Sequence, residues 1–372
     1  MRSLPWLLCV SLVGCHSEPD EFAGVVAEAT GCESTKLLAA PADPSAPGPF
    51  PAGVRTATVN GLTTEIWYPA VRGSQRGKPK ASYDLRLALP PADQSKIPDA
   101  ANELQACDCY RDLPLDEAHG PYPVIVFVHG TASFRTQSLH QMTHWARRGF
   151  VVVAQDHPGL KLADVLTMQF DKADQAGDAK RLLEALVAPS GELAFLAGHV
   201  DSTRRAASGH SAGGGAVSAL GAEPGVRVVM PMAAGGAKPG ASLKSTLIFG
   251  AQNDTIVNFP TQQKGFADTP APRRLLGLAN AGHLAFSDIC ALAVDQGGIL
   301  ALAQKYGVEV NPLVALLATD GCLPEQLPPE RGWRLINYAS SAVLESELQC
   351  SATATAALPT IAQQPDVFGY QE

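Results

Sequence analysis

The segment 209–213 is the feature that most constrains how this chain folds. It places a histidine, a serine and an alanine between Gly209 and Gly213. Two glycines at this spacing permit a strained turn from a strand into a helix, and such a turn lifts the Ser211 hydroxyl into solvent. The flanking residues agree, because they predict a short strand before the turn and a small, apolar helix after it. Ordinary glycine-rich loops can have the same spacing, so the prediction depends on the rest of the chemistry.

An exposed serine of this kind is a weak nucleophile and needs a base and an orienting acid, which follow it along the chain in this architecture. Asp254 lies in the loop after one apolar, strand-like segment, and His283 lies in the loop after the next. We therefore expect Ser211 as nucleophile, His283 as base and Asp254 as the acid that orients the imidazole. Asp156 ends another predicted strand and is the alternative acid, although we expect it to hold loops by hydrogen bonds.

Backbone donors for a developing negative charge are predicted beside a third strand. The apolar run 123–128 ends at His129-Gly130-Thr131, as expected of a central strand that is buried on both faces. A turn at Gly130 aims a backbone N–H into the site, so we expect the N–H groups of Thr131 and Ala212 to form an oxyanion hole. We expect His129 to stabilise the turn rather than to transfer protons.

Several segments resemble the predicted dienelactone-hydrolase-like α/β-hydrolases, which are close to the platelet-activating-factor acetylhydrolases and the bacterial polyester hydrolases. The resemblance covers roughly residues 48–290, and the segments that carry it are 48–55, 66–70, 128–136, 209–214 and 282–288. It implies an α/β-hydrolase fold and carboxylic-ester hydrolysis, with the triad and the oxyanion donors named above. Dienelactone hydrolases have a cysteine where this chain has Ser211.

Predicted strands alternate with predicted helices, which implies a mainly parallel, doubly wound sheet with helices on both faces. With 372 residues, 46% of them hydrophobic and only 17% charged, the chain can bury a large core as one domain, which we expect over residues 54–372. Residues 71–122 are predicted to be an insertion, either surface padding or a wall of the substrate cleft, and padding is the preferred interpretation. Helical patterns within residues 291–332 indicate a candidate C-terminal cap.

The amino terminus predicts export. Arg2 precedes an apolar stretch that is too short to span a bilayer and is typical of a signal peptide, here over residues 1–14. The residues that end at Cys15 resemble a bacterial lipobox, which implies cleavage before Cys15, lipidation, and a lipid anchor and tether over residues 15–53. We therefore expect an exported lipoprotein at the outer membrane that faces the periplasm or the surface. An ordinary signal peptide with an unrelated cysteine is the alternative.

Six cysteines remain for the exported domain, namely Cys32, Cys107, Cys109, Cys290, Cys322 and Cys350. An even number in an oxidising compartment predicts three disulfides, whose pairing the sequence leaves open. A metal site at Cys107 and Cys109 is the alternative, but one residue separates the two and no second pair matches them. His140 and His144 have the spacing of paired zinc ligands, but Gln141 replaces the glutamate of that motif. We therefore predict neither a metal nor a cofactor.

The net charge of −8, with no basic run, argues against nucleic acid as a partner. The predicted function is hydrolysis of a small or lipid-like carboxylic ester through an acyl-enzyme. Acyl transfer by the same three residues is an alternative, which product analysis with competing alcohols would distinguish. A binding protein on a hydrolase scaffold is the third possibility, but such a protein has no need for nucleophile, base and acid together.

Residues around the acyl position predict the size of the substrate. Thr131 and its small neighbours lie beside Phe134, and Ala285 and Phe286 follow His283. Small residues with aromatic walls predict a shallow cleft and a graded preference for acetyl to butyryl esters. A deep acyl channel under a cap formed by residues 291–332 is the alternative.

Overall fold

The computed structural model of the protein describes residues 27–33 and 35–372. The expected signal peptide and the expected lipidation site at Cys15 lie outside these residues, so membrane attachment stays a prediction. Within the part of the chain that is described, no helix is both long and apolar enough to cross a bilayer.

A large mixed sheet forms the centre of the molecule. The strands in the described residues are β1 (Glu28–Thr30), β2 (Lys36–Leu38), β3 (Ala52–Val59), β4 (Leu62–Pro69), β5 (Ser82–Tyr83), β6 (Gln105–Ala106), β7 (Tyr110–Arg111), β8 (Tyr122–Val128), β9 (Val151–Gln155), β10 (Val200–His210), β11 (Val226–Met232), β12 (Ser245–Ala251), β13 (Arg273–Leu278) and β14 (Val367–Gln371).

In this part of the chain, ten strands form one sheet in the order β14-β13-β12-β11-β10-β8-β9-β4-β3-β7. The six strands from β13 to β9 in that order pair in parallel, and β14, β4 and β3 each run antiparallel to a neighbour. Strands β8 and β12 are buried along their whole length, because parallel strands are covered on both faces. The mainly parallel, doubly wound sheet predicted from the sequence is therefore confirmed.

Helices cover both faces of the sheet. Those of the described residues are α1 (Leu139–Arg147), α2 (Leu162–Leu166), α3 (Gln175–Ala185), α4 (Ala212–Leu220), α5 (Phe259–Asp268), α6 (Gly298–Lys305), α7 (Pro312–Leu317), α8 (Pro329–Leu348) and α9 (Ala352–Ala357). One core cluster joins α1, α8 and α9 to the sheet, and a second joins α3 and α4 to its opposite face. These two apolar layers fix the ends of the parallel strands in space.

Part of the segment that was expected to be a tether is packed onto the body of the protein. A disulfide joins Cys32 to Cys350, and Phe50 is buried. The buried guanidinium of Arg148 donates hydrogen bonds to three backbone carbonyls within residues 41–46. This segment is held by a disulfide and by hydrogen bonds to its backbone rather than by a row of apolar side chains. Its sequence therefore has no apolar periodicity from which the packing could be predicted.

Three disulfides join the cysteines of the described residues, in the pairs Cys32–Cys350, Cys107–Cys109 and Cys290–Cys322. The predicted number is confirmed. Because Cys107 and Cys109 are bonded to each other, neither offers a thiolate to a metal ion. The pair formed by Cys290 and Cys322 ties the segment after His283 to the candidate cap region.

The insertion at residues 71–122 packs against residues 291–332, which contain α6 and α7 and are called the cap below. Leu89 and Ile97 of the insertion share an apolar cluster with Leu302 of the cap. Lys96 Nζ donates to the backbone carbonyl of Gly307 at 2.8 Å. The insertion is therefore not surface padding, because its apolar side chains are covered by the cap.

Candidate active site

Ser211 lies at the sharp turn between β10 and α4. Its backbone has φ 56° and ψ −119°, a conformation that residues other than glycine rarely adopt. A Cβ atom at Gly213 would lie 2.1 Å from the carbonyl oxygen of Val128, and one at Gly209 would lie 2.5 Å from the carbonyl oxygen of Gly213. Glycine is therefore required at both positions, and the turn has the strained geometry that their spacing predicts.

A chain of hydrogen bonds connects the serine to a buried carboxylate. His283 Nε2 lies 2.9 Å from Ser211 Oγ, and His283 Nδ1 lies 2.9 Å from Asp254 Oδ2. The other carboxylate oxygen of Asp254 accepts the backbone N–H groups of Ile256 and Val257 at 2.9 and 2.7 Å. Because a carboxylate only accepts, Nδ1 carries the imidazole proton and Nε2 is free to accept the proton of the serine.

Asp156, the alternative acid, has other partners. Its carboxylate accepts the Arg135 guanidinium at 2.5 Å and the Arg135 backbone N–H at 2.8 Å. Arg135 also contacts the buried carboxylate of Glu65 at 3.2 Å. The carboxylate beside the His283 ring is thus that of Asp254, and Asp156 ties loops together.

The turn after β8 approaches the serine closely. A Cβ atom at Gly130 would lie 3.3 Å from Ser211 Cβ, and Thr131 lines the same pocket as Ser211 and His283. Ala212 is the first residue of α4. The first N–H groups of a helix have no acceptor within the helix and carry partial positive charge, which makes them suitable donors to an anion.

A buried glutamine that the sequence analysis missed links this turn to the histidine loop. Gln137 Oε1 accepts the Gly130 N–H at 2.8 Å, and Gln137 Nε2 donates to His210 Nδ1 at 2.9 Å. The opposite ring nitrogen of His210 donates to the backbone carbonyl of His283 at 2.9 Å. Burial, with a smaller contribution from His283, lowers the pKa of His210 well below its ordinary value. His210 is therefore neutral, as a ring that accepts at one nitrogen and donates at the other must be.

His129 stabilises the turn, as the sequence predicts. Its Nδ1 donates to the Gly130 carbonyl at 2.7 Å, and its Nε2 accepts the backbone N–H of His157 at 3.0 Å. Burial first, and the neighbouring His157 second, lower the pKa of His129 to about 4. Both ring nitrogens are used inside the protein, so His129 is not available for proton transfer to a substrate.

Asp320, in the cap, was also missed and connects the loop that carries Asp254 with the loop that carries His283. Its Oδ1 accepts the His283 N–H at 3.1 Å, and its Oδ2 accepts the N–H and the hydroxyl of Thr255 at 2.8 and 2.6 Å. Its backbone carbonyl accepts the Leu284 N–H at 2.8 Å. Because Thr255 follows Asp254 directly, one cap residue holds the acid loop and the histidine loop together. Asp320 lies 37 residues from His283 in a segment without a motif, so no sequence signal indicates this role.

A pocket lies above Ser211 and is lined by residues from several segments. Its walls are the turn 131–134, Leu162 of α2, Leu284 and Ile289 after the histidine, and side chains of α6 and α7. The predicted cleft walls are confirmed at residues 131–134, which line the pocket, and are wrong at Ala285 and Phe286, which do not. Leu284 lines the pocket instead, whereas Phe286 is fully buried in the core. These residues form a 3₁₀ turn, in which successive side chains point in different directions.

The two histidines of α1 have separate partners. His140 stacks on Trp333 with 3.5 Å between ring centroids, and its Nδ1 lies 3.3 Å from Asp288 Oδ1. His144 Nε2 lies 3.0 Å from both the Pro44 carbonyl and the Ser341 hydroxyl. In residues 27–33 and 35–372, no group of three or more His, Cys, Asp or Glu side chains is placed to hold a metal ion.

A sequence model described as PET hydrolase-like (PETase) matches residues 112–299, about half of the chain. The match spans Thr131, Ser211, Asp254 and His283. The chain belongs to the PET hydrolase-like family. This family is a group of polyester hydrolases with the α/β-hydrolase fold. Because its members hydrolyse esters, the family match identifies the protein as a serine hydrolase of carboxylic esters. A comparison of the PET hydrolase-like protein with curated proteins found no match.

Proposed function

We propose that Ser211, His283 and Asp254 are the catalytic triad of this ester hydrolase, and that the backbone N–H groups of Thr131 and Ala212 form its oxyanion hole. The observation that carries the proposal is the position of His283, whose two ring nitrogens each lie 2.9 Å from a partner, Ser211 Oγ on one side and Asp254 Oδ2 on the other. The order nucleophile, acid, base along the chain also supports it.

In the first half of the reaction, Ser211 Oγ attacks the ester carbonyl carbon while its proton moves to His283 Nε2. The imidazolium that forms is stabilised by the Asp254 carboxylate, and the negative oxygen of the tetrahedral intermediate accepts hydrogen bonds from Thr131 and Ala212. The intermediate collapses with cleavage of the bond to the alcohol oxygen, which takes the proton from His283. The alcohol leaves, and the acyl group stays on Ser211.

In the second half, water takes the place of the alcohol. His283 accepts a proton from the water as it attacks the acyl carbon, and the same two N–H groups stabilise the second tetrahedral intermediate. Collapse returns the proton to Ser211 Oγ and releases the carboxylic acid. The free enzyme is restored, so water is the only co-reactant.

Labelling with a fluorophosphonate, followed by peptide mapping, tests the assignment. The label is expected on Ser211 in the parent and is expected to be absent in Ser211→Ala. Ser218→Ala is the matched control, because Ser218 lies on α4 and its hydroxyl donates to the Gly214 carbonyl within the helix. Retention of label and of ester hydrolysis by Ser211→Ala would exclude Ser211 as the nucleophile.

A further inference from the structure

A second, largely apolar cavity adjoins the active-site pocket. The insertion, α2 and the cap form its walls, and five residues line both spaces: Phe134, Leu162, Ile299, Val314 and Ala318. We infer that this cavity binds the acyl chain of the substrate and selects esters of medium to long, unbranched fatty acids. This inference rests on the proposed role of Ser211 as the residue that carries the acyl group.

The chemistry of the walls favours a hydrocarbon chain. Side chains such as Leu89, Ile97 and Leu302 dominate the lining, and the polar residues Arg86, Asn102 and Glu103 are engaged elsewhere. Arg86 and Asn102 bind Asp84, and Glu103 accepts the backbone N–H of Ala293 at 3.0 Å. A ligand that carried charge or hydrogen-bonding groups would lose its hydration in this cavity without gaining partners.

The position of the cavity relative to His283 distinguishes the acyl chain from the alcohol. The leaving alcohol oxygen takes its proton from His283 Nε2, so the alcohol must lie on the side of His283. The cavity instead extends past Phe134 and Leu162, and neither His283 nor Leu284, which line the pocket above Ser211, lines it. The part of the ester that points away from His283 is the acyl chain.

The outer surface of the same segments is apolar as well. Most of the large hydrophobic side chains that are exposed in the described residues lie on the insertion, on the loop after α2 and on the cap: Leu87, Leu104, Met168, Phe170, Val294, Leu313, Leu316 and Leu323. Exposed apolar side chains that gather on a few segments mark a surface that meets apolar ligands. This distribution agrees with a substrate that is poorly soluble in water.

The walls of the cavity lie largely outside the family match, which covers residues 112–299. The insertion residues of the lining precede the match, and Leu302, Val308 and Val314 follow it. The chain-length preference inferred here is therefore built by the parts of the chain that the family match does not cover. It replaces the short-chain preference predicted from residues near His283.

A series of p-nitrophenyl esters from acetate to hexadecanoate tests the inference on the intact enzyme. Each added methylene that enters the cavity is expected to raise kcat/KM by up to about fourfold, with the maximum at about eight carbons or longer. A maximum at acetate or butanoate would overturn the inference.

A parallel series of alkyl acetates is expected to show little dependence on the alcohol. Strong dependence there, with none on the acyl chain, would assign the cavity to the alcohol and would equally overturn it.

Two phenylalanine substitutions on α6 provide a matched pair. Ala303→Phe fills the cavity, so it is expected to lower the ratio of kcat/KM for octanoate to that for butanoate at least tenfold, whereas Gln304→Phe, on the exposed face, leaves the ratio unchanged. An unchanged ratio in a folded Ala303→Phe protein contradicts the inference, and the parent series decides alone if that variant does not fold. Hydrolysis of the acetate ester by the parent, and its loss in Ser211→Ala, test the proposed function independently of the chain-length preference.

Discussion

Single residues with two partners each determine the geometry around Ser211. Asp254 accepts backbone N–H groups at one oxygen and the imidazole of His283 at the other. Gln137 likewise connects the Gly130 N–H with His210. Because every donor in these contacts has a defined acceptor, the rings keep one tautomer and one orientation. Order of this kind reduces the reorganisation needed during the reaction.

Asp254→Asn is expected to lower kcat for a short p-nitrophenyl ester by about 10⁴, because an amide that donates toward Nδ1 favours the wrong imidazole tautomer. The matched variant Asp156→Asn removes a carboxylate bound to Arg135 and is expected to reduce stability more than kcat. Steady-state kinetics and urea unfolding of both variants check the prediction. If Asp254→Asn leaves kcat nearly unchanged while Asp156→Asn lowers it strongly, Asp156 is the acid.

At the scale of secondary structure elements, the cap takes part in the site that it covers. Asp320 follows α7 and binds both the loop after β12 and the loop after β13. The disulfide Cys290–Cys322 joins the beginning of this segment to the residues after Asp320. The cap is therefore held in place covalently and by hydrogen bonds, and the same contacts position the backbone of His283.

Asp320→Ala is expected to lower kcat by about 10- to 100-fold with little change in KM, because a small displacement of the imidazole disturbs proton transfer more than substrate binding. Asp320→Asn keeps one carbonyl acceptor and is expected to recover part of the loss. Steady-state kinetics on acetate and octanoate esters check both statements. Equal kcat for parent and Asp320→Ala would show that the contacts of Asp320 have no influence on the chemistry.

At the scale of the whole molecule, three buried histidines make folding sensitive to acid. Burial is the first cause of a lowered pKa in each case, to about 4 for His129, to about 3 for His144 and well below the ordinary value for His210. In the unfolded chain these rings bind protons near pH 6.5, whereas in the folded protein they do so only at lower pH. The contribution of these neutral rings to stability is therefore fully present above about pH 6.5 and is lost as the pH falls from there through the lowered pKa values.

The free energy of unfolding is expected to fall by roughly 2 kcal/mol per histidine between neutral pH and pH 5. His144→Gln removes one of the three groups, so the difference between the two pH values is expected to shrink by about that amount. Urea unfolding at both pH values measures it. A free energy of unfolding that does not change over this interval would contradict the prediction.

Attachment of the whole molecule to a membrane is also open to a direct test. If Cys15 carries the lipid, Cys15→Ala is expected to abolish incorporation of labelled fatty acid in a bacterial host. Cys9→Ala, within the expected signal peptide, is the control and is expected to retain the label. Equal labelling of the Cys15 variant and the parent would exclude Cys15 as the anchor.

The parts of the fold and of the site that could be predicted are those with a local signal. Apolar runs separated by polar turns identified the central strands, because a buried parallel strand must be apolar on both faces. The turn at Ser211 and the loops that carry Asp254 and His283 could be predicted as well, because each comes directly after a predicted strand. Gln137 and His210, in contrast, are 73 residues apart. Their contact has no local pattern, so the role of Gln137 could not be recognised beforehand.

The sequence by itself determined the parallel sheet, the strained turn at Ser211, and the candidate nucleophile and base, because each depends on neighbours along the chain. It left two candidate acids, and the structure places Asp254 rather than Asp156 beside the His283 ring. Only the tertiary structure decided which cysteines pair, that Asp320 binds both the loop after β12 and the loop after β13, and that an apolar cavity adjoins the pocket above the serine. The walls of that cavity come from the insertion, from α2 and from the cap, which are far apart along the chain. A surface assembled from distant segments exists only after the chain has folded and brought them into contact.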